Sequence, residues 1–249
     1  MSRSQVTVSQ AAEMLGVHPQ RVHQRIRAGS LAAEKIGNQW LMDEADVRRV
    51  AERSSPGRPL SSKSAWDVFA VCLGDSSASE LSPVSRSRAR SRLRELLASA
   101  SDADAGDISA LLGRALRNRA ERVPYVASPR DLPDLRADER VHLSGLSLPE
   151  SNLAAGDSVE GYVLVDRLDG LVDDYLLSPA DRDRANVILH VAPAADSPGR
   201  RAVDLADMAR SPLTLAADLA EYDGVREKHE ALRLIADLGR IVAREERRA

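Results

Sequence analysis

Aromatic residues make up only 3% of this 249-residue chain, with a single Phe. Its core must therefore be assembled from Leu, Val and Ala, which favours helices over a large all-β sandwich. One cysteine, Cys72, excludes an internal disulfide. Flanked by Val71 and Leu73, it reads as a buried thiol and fits a reducing cytoplasm. No stretch approaches the roughly 18 apolar residues of a membrane helix, and the opening MSRSQVTVSQ lacks the apolar segment of a secretory signal. Catalytic signatures are missing too: there is no Gly-rich phosphate loop, HExxH, CxxC pair or GxSxG. The five histidines, His18, His23, His142, His190 and His229, are dispersed, without the short spacing that puts two ligands on one helix face. His190 alternates with apolar neighbours in VILHVAP and reads as a buried, hydrogen-bonded strand residue. Asp173-Asp174 and Asp181-Asp183 offer acid pairs for a metal, but in an Asp-rich chain they read as solvated. No metal, cofactor or enzymatic activity is expected.

Charge is unevenly spread. Residues 1–63 carry 10 Lys or Arg against 6 Asp or Glu, residues 64–100 carry 5 against 4, and residues 101–249 carry 20 against 28. The formal charge of −3 thus hides a basic front and an acidic back. A basic head on an acidic body confines phosphate contact to one end, where a uniformly basic chain would coat DNA non-specifically. An Ala- and Asp-rich composition also makes any long domain acidic, so the gradient alone fits both readings.

The segment from Val8 to Arg53 carries the clearest pattern. Ser9 is placed to cap a short helix with apolar Ala11, Ala12, Met14 and Leu15, and Gly16 is placed to end it. After the turn Gly16-Val17-His18, Pro19 suits the first position of a second helix, predicted to run to Ala28 before Gly29. At about 100° per residue, Val22 and Ile26 share one face of that helix, while Gln20, Arg21, Gln24 and Arg27 spread over the opposite one, with His23 and Arg25 on its flanks. Arginine and glutamine have the forked donors and acceptors that match guanine and adenine edges in the major groove. Leu31 to Ile36 is predicted as a strand, Gly37-Asn38 as a hairpin turn and Gln39 to Met42 as the returning strand, together a wing. Asp43 is predicted to cap a third helix with Ala45, Val47 and Val50 on its inner side, and Trp40 is the largest core candidate nearby.

This order of elements resembles the excisionase and MerR-type DNA-binding domains, with VSQAAEMLGVHPQRVHQRIRAG as the helix-turn-helix and KIGNQWLM as the wing. The resemblance spans roughly the first fifth of the chain. It implies double-stranded DNA as partner, with Gln20, Arg21, His23, Gln24 and Arg27 at base edges and phosphates, and Lys35, Asn38 and Gln39 at the backbone or minor groove. One head reads few base pairs, so a homodimer on DNA is expected.

Further on, SSPGRPLSSKS reads as a linker, and Ser64 as the cap of a short apolar helix closed by Gly74, with Trp66 and Phe69 on one packing face. In SPVSRSRARSRLRELL, Arg86, Arg88, Arg90, Arg92 and Arg94 scatter around a helix; they are readable as solvated or as an accessory DNA contact. SDADAGD has Gly113 where a calcium loop needs its bidentate acid, so it is a polar turn before a helix from Ile108 to Arg119 with an arginine-rich outer side. From Val123, the runs VPYVAS, RVHLSG, VEGYVLV and ANVILHVAP read as strands. The segment Asp166 to Leu177 is predicted to be a helix with Leu168, Leu171, Val172, Tyr175 and Leu176 on one face, and two more helices follow Ser211, broken near Asp223-Gly224.

The expected architecture is α+β: a winged helix-turn-helix over residues 1–53, a linker over 54–63, a helical segment over 64–122 and a small α+β domain over 123–249. The back half, through SPRDLPDL, DERVHLSG, EGYVLVDRLDGLVDDYLL, NVILHV and PLTLAADLAEYDGVRE, resembles actinobacterial helix-turn-helix proteins related to AbiEi-type antitoxins, although the excisionase-like head differs from the winged helix usual there. That resemblance implies a DNA-binding autorepressor whose C-terminal domain binds a cognate toxin or itself. The alternatives are an excisionase-like factor bending DNA beside a recombinase, which is commonly little more than a head, and a MerR-like ligand sensor, which needs a long dimerising helix where Ser54 to Ser64 intervenes.

Overall fold

The computed structural model describes residues 5–14, 19–27, 31–37, 39–44, 46–47, 59–101, 103–153, 156–197 and 200–246. The chain folds as two compact units, Met1–Arg58 and Pro59–Ala249, and the architecture is α+β.

The head begins with a strand that its polar sequence did not announce, β1 (Gln5–Thr7), followed directly by α1 (Val8–Met14). The helix is capped by Thr7 and not by Ser9. The Thr7 hydroxyl accepts from the Gln10 N–H (3.4 Å) while the Gln10 side chain accepts from the Thr7 N–H (2.9 Å). This is a reciprocal capping box, and it displaces the cap by two residues because β1 runs straight into the helix. The turn at residues 15–18 lies outside the described residues. Helix α2 (Pro19–Arg27) starts at its proline as expected. A hairpin follows, β2 (Glu34–Ile36) and β3 (Gln39–Asp43), with Ile36 opposite Gln39 and Gly37 at φ +62°, a conformation glycine adopts without strain. The first strand is shorter than the predicted Leu31 to Ile36, because Leu31 leaves the sheet to enter the core. The sheet order is β1-β3-β2, antiparallel throughout. Val6, Ala11, Ala12, Val22, Leu31, Met42 and Val47 form the head core, with Ile26 packed against it. Helical backbone resumes at Glu44 and at Asp46–Val47; Ala45 and Val50 of the predicted third helix lie outside the described residues.

The second unit opens with α3 (Ser62–Cys72), capped by Ser61, whose hydroxyl accepts from the Ser64 N–H; the serine expected to cap is the third helical residue. Short α4 (Asp75–Ser79) leads to α5 (Pro83–Ser101) and α6 (Asp107–Leu116), where Asp104 accepts from the Gly106 and Asp107 N–H groups as a polar turn should. A five-stranded sheet follows in the order β5-β6-β8-β4-β7: β4 (Glu121–Val126), β5 (His142–Leu143), β6 (Val159–Leu164), β7 (Ser178–Pro179) and β8 (Val187–Ala192). Its one parallel pair is β6 with β8.

The two central strands are buried on both faces, which explains their continuous apolar runs. On one face Val159, Val163, Val187, Leu189 and Val191 meet Leu132 and Leu135 of α7 (Leu132–Ala137) and Leu171 of α8 (Val165–Asp174). The other face, carrying Tyr162 and Ala192, meets α3, α5 and α6 together with α9 (Leu205–Arg210), α10 (Pro212–Leu219) and α11 (Val225–Glu246). Helices from before and after residue 122 thus share one core, and the division drawn there in the sequence is not a boundary of packing. Trp66 and Phe69 lie in it, with ring centroids 6.0 Å apart. Cys72 is half-buried; burial, reinforced by Glu245, pushes its thiol up to about 12.

Helix α8 ends earlier than its apolar spacing predicts. The Leu176 N–H bonds to the Asp173 carbonyl (3.4 Å) and the Leu177 N–H to the Val172 carbonyl (3.0 Å), with Leu176 at φ +49° and 82% exposed. This is the helix-ending motif in which the left-handed residue is usually glycine. Replacing Leu176 with Gly should therefore raise stability by about 1 kcal/mol, whereas Ala, which keeps the Cβ, should not; chemical denaturation of the three chains measures the difference.

Candidate nucleic-acid interface and the buried ionic cluster

In the head, α2 buries Val22 fully and Ile26 partly against α1 and the sheet. That fixes which face the helix presents. Gln20 is exposed and His23 half-buried on the flank. Gln24 and Arg27 occupy helix positions opposite Val22 by the 100° spacing, and Arg21 lies to one side. The side chains of Arg21, Gln24 and Arg27, and Asn38 as a whole, lie outside the described residues. In the hairpin, Lys35 and Gln39 are exposed. Trp40 departs from expectation: it is half-buried and outside the head core, because it sits near the hairpin tip opposite Lys35, while Met42, two residues along, takes the core position. The Lys35 ammonium lies over the Trp40 ring, 6.0 Å from its centroid.

The arginine run on α5 is partly consumed within its own unit. Arg86 donates to the carbonyls of Ala78 (2.9 Å) and Ser79 (3.2 Å), and Arg90 pairs with Asp75 at 3.1 Å. Arg88 is exposed.

The second unit holds a cluster that the sequence reading missed. Arg119, read from the sequence as part of an outer arginine face, is 1% exposed. Helix α6 stops at Leu116, and the tight turn Arg117–Arg119 swings this side chain inward. Its Nε donates to the Tyr162 hydroxyl (2.7 Å), its Nη1 to the Leu116 carbonyl (3.1 Å), and its Nη2 to Asp218 Oδ1 and Glu221 Oε1 (both 2.6 Å). Tyr162 donates to Asp218 Oδ1 at 2.8 Å, and Ser144 donates to the other Asp218 oxygen. Register places His190 beside Tyr162 on the same sheet face, and the two rings stack with centroids 4.7 Å apart. His190 Nε2 lies 3.0 Å from Glu160 Oε1 and 3.8 Å from Asp218 Oδ1. The second Glu160 oxygen accepts from the Tyr222 hydroxyl (2.8 Å) and the Leu146 N–H (3.0 Å). Gly145, at φ +53°, makes room for that carboxylate, which a Cβ would overlap. At the rim, Arg122 lies 3.3 Å from Glu221 and over the Tyr222 ring.

These contacts set the protonation states. Burial would raise Asp218, but the charges of His190 and Arg119 and the hydrogen bonds from Ser144 and Arg119 hold its carboxyl below the ordinary range. Burial pushes the Tyr162 hydroxyl well up, so it stays a donor. Burial works against the Arg119 charge, yet Tyr162, Glu221 and Asp218 hold the guanidinium well above its usual value. Every carboxylate in the cluster is satisfied by donors, and among the described residues no group of three or more His, Cys, Asp and Glu is arranged to hold a metal. Of the acid pairs noted in the sequence, Asp174 is taken by Arg140 (2.7 Å). Arg140 also hydrogen-bonds Asp138 and lowers its carboxyl to about 2.

A family model for a helix-turn-helix domain matches residues 6–55, which hold α1, α2 and the hairpin. No curated protein and no solved structure matches the chain. The chain is a DNA-binding regulator of the helix-turn-helix kind. Among the described residues no helix is long and apolar enough to cross a membrane.

Replacing Arg119 with Met should cost about 3–5 kcal/mol of stability, because it strips Asp218 of its closest cation inside the core. In the unaltered chain, Asp138 and Asp218 are ionised in the folded state below their ordinary range. Their contribution is therefore complete above the ordinary value of 3.8 and is lost as pH falls through the folded-state values, about 2 for Asp138 and below the ordinary range for Asp218. Denaturant unfolding as a function of pH checks both the size of the Arg119 effect and the acid window.

Proposed function

We propose that this chain is a sequence-specific transcriptional autorepressor of the antitoxin kind, working in the cytoplasm as a homodimer on DNA. Its α+β unit would bind a cognate toxin protein, and the chain would have no enzymatic activity of its own. The observation that carries the DNA part is the head's geometry: α2 buries Val22 and turns its Gln- and Arg-bearing positions away from the core, beside a hairpin with Lys35 and Gln39 exposed. In this reading Gln20, Arg21, His23, Gln24 and Arg27 read base edges and phosphates, and Lys35, Asn38 and Gln39 touch the backbone or minor groove. The partner role rests on the resemblance to AbiEi-type antitoxins read from the back-half sequence, and on an acidic unit with its own large core, more than an excisionase-like bending factor uses. The reading of no enzymatic activity rests on the sequence, which holds no Gly-rich phosphate loop, HExxH, CxxC pair or GxSxG. A MerR-like sensor would need a long dimerising helix after the head, and α3 spans only 11 residues.

The test is a mobility shift of the full chain on the DNA upstream of its own gene, with scrambled competitor, at two salt concentrations. Specific, salt-sensitive retention is expected, and replacing Arg21 and Arg27 together with Ala should weaken it at least about thirtyfold without altering thermal unfolding. Undiminished binding by the double variant would exclude this face of α2.

A further inference from the structure

We propose that Trp40 is a positioning residue of the wing: its indole holds the Lys35 ammonium where it meets a DNA phosphate. The inference rests on the DNA-binding reading of the head and adds a residue to it. Three observations carry it. Lys35 and Trp40 are direct cross-strand partners in the β2–β3 register, and the ammonium lies over the ring face at 6.0 Å from the centroid, within the reach of a cation–π contact. Trp40 is half-buried and is not among the head-core side chains of the described residues, so among these the packing of that core does not account for its large side chain. Lys35 remains exposed although it is so held, which leaves ammonium N–H groups to donate elsewhere.

The physical gain is preorganisation. A lysine has the longest flexible stem among the cationic side chains, and immobilising such a chain at an interface costs about two- to tenfold in affinity. A lysine already resting on an indole has met part of that cost before DNA arrives. The ring attracts the cation through its quadrupole without competing as a hydrogen-bond acceptor, so a phosphate oxygen can still approach. Across the hairpin end the chain turns at Gly37, which keeps Lys35 and Trp40 near the tip of the wing, where a protruding hairpin reaches a nucleic-acid backbone.

A double-mutant cycle separates this role from a merely structural one. Binding of the full chain to a labelled duplex from upstream of its own gene is followed by fluorescence anisotropy across a range of salt, for the unaltered chain, Trp40→Ala, Trp40→Phe, Lys35→Ala and the Lys35→Ala, Trp40→Ala pair. Thermal unfolding of each variant is recorded alongside. Trp40→Ala should weaken binding about two- to tenfold with the salt slope kept, Trp40→Phe should stay within about twofold because it retains a ring, and Lys35→Ala should lower the salt slope by about 0.9. In the Lys35→Ala background, removing Trp40 should cost nothing more. Equal losses from Trp40→Ala in both backgrounds would show a structural role and overturn the proposal, as would an unchanged salt slope in Lys35→Ala. If Trp40→Ala unfolds, Trp40→Leu, which fills the position without a ring face, takes its place in both backgrounds of the cycle. Failure of the unaltered chain to bind the duplex at any salt would instead overturn the DNA-binding reading itself.

Discussion

The ion pair between Arg119 and Asp218 is the constraint on which the larger unit depends. A guanidinium and a carboxylate removed from water are each costly, and their attraction offsets the cost only where the remaining donors and acceptors are filled. Here Tyr162, Ser144, Leu116 and Glu221 fill them, so residues from a turn after α6, from β6, from the loop after β5 and from α10 and its exit must all be in place together. Glu160 and His190 lie beside them on the same sheet face. A slip of one residue in β6 or β8 would turn these polar groups onto the apolar face against α7 and α8. The cluster therefore selects the register of the central strands and the face on which the helices pack, a specificity that Val and Leu alone would leave loose.

The head is held differently. Its core is a handful of small and medium apolar side chains, Val6, Ala11, Ala12, Val22, Leu31, Met42 and Val47, with a capping box at one helix start. That packing turns the Gln- and Arg-bearing positions of α2 away from the core, while the larger unit holds its buried ionic groups around Arg119 and Asp218.

Much of this was legible in the sequence, and the exceptions have physical causes. Pro19, the Val22 and Ile26 spacing and the Gly37-Asn38 pair marked the second helix and the hairpin because each is a local backbone rule. The apolar runs of β6 and β8 marked them as strands, and their burial on both faces explains why those runs are continuous. The cap of α1 was misplaced because Thr7 and Ser9 are chemically equivalent candidates and only the adjoining strand decides between them. Helix α8 ran too far because its left-handed terminator is Leu176, where the usual signal is glycine. Trp40 was assigned to the core on size, and its place near the hairpin tip overruled that. Arg119 was the largest miss: an arginine beside two others looks solvated, and its burial follows from Tyr162, Asp218 and Glu221, which lie at least 43 positions away. The available hint was the presence of Glu160, His190 and Asp218 inside otherwise apolar runs, since buried acids need a cation and the sequence does not say which one.

The most direct measurement of the central claim is hydrogen–deuterium exchange of the full chain with and without DNA from upstream of its own gene. The account predicts that DNA slows exchange in α2 and in the β2–β3 hairpin while β6, β8 and α10, locked by the Arg119 cluster, exchange slowly in both states. Protection appearing in the second unit, with α2 and the hairpin unchanged, would contradict it.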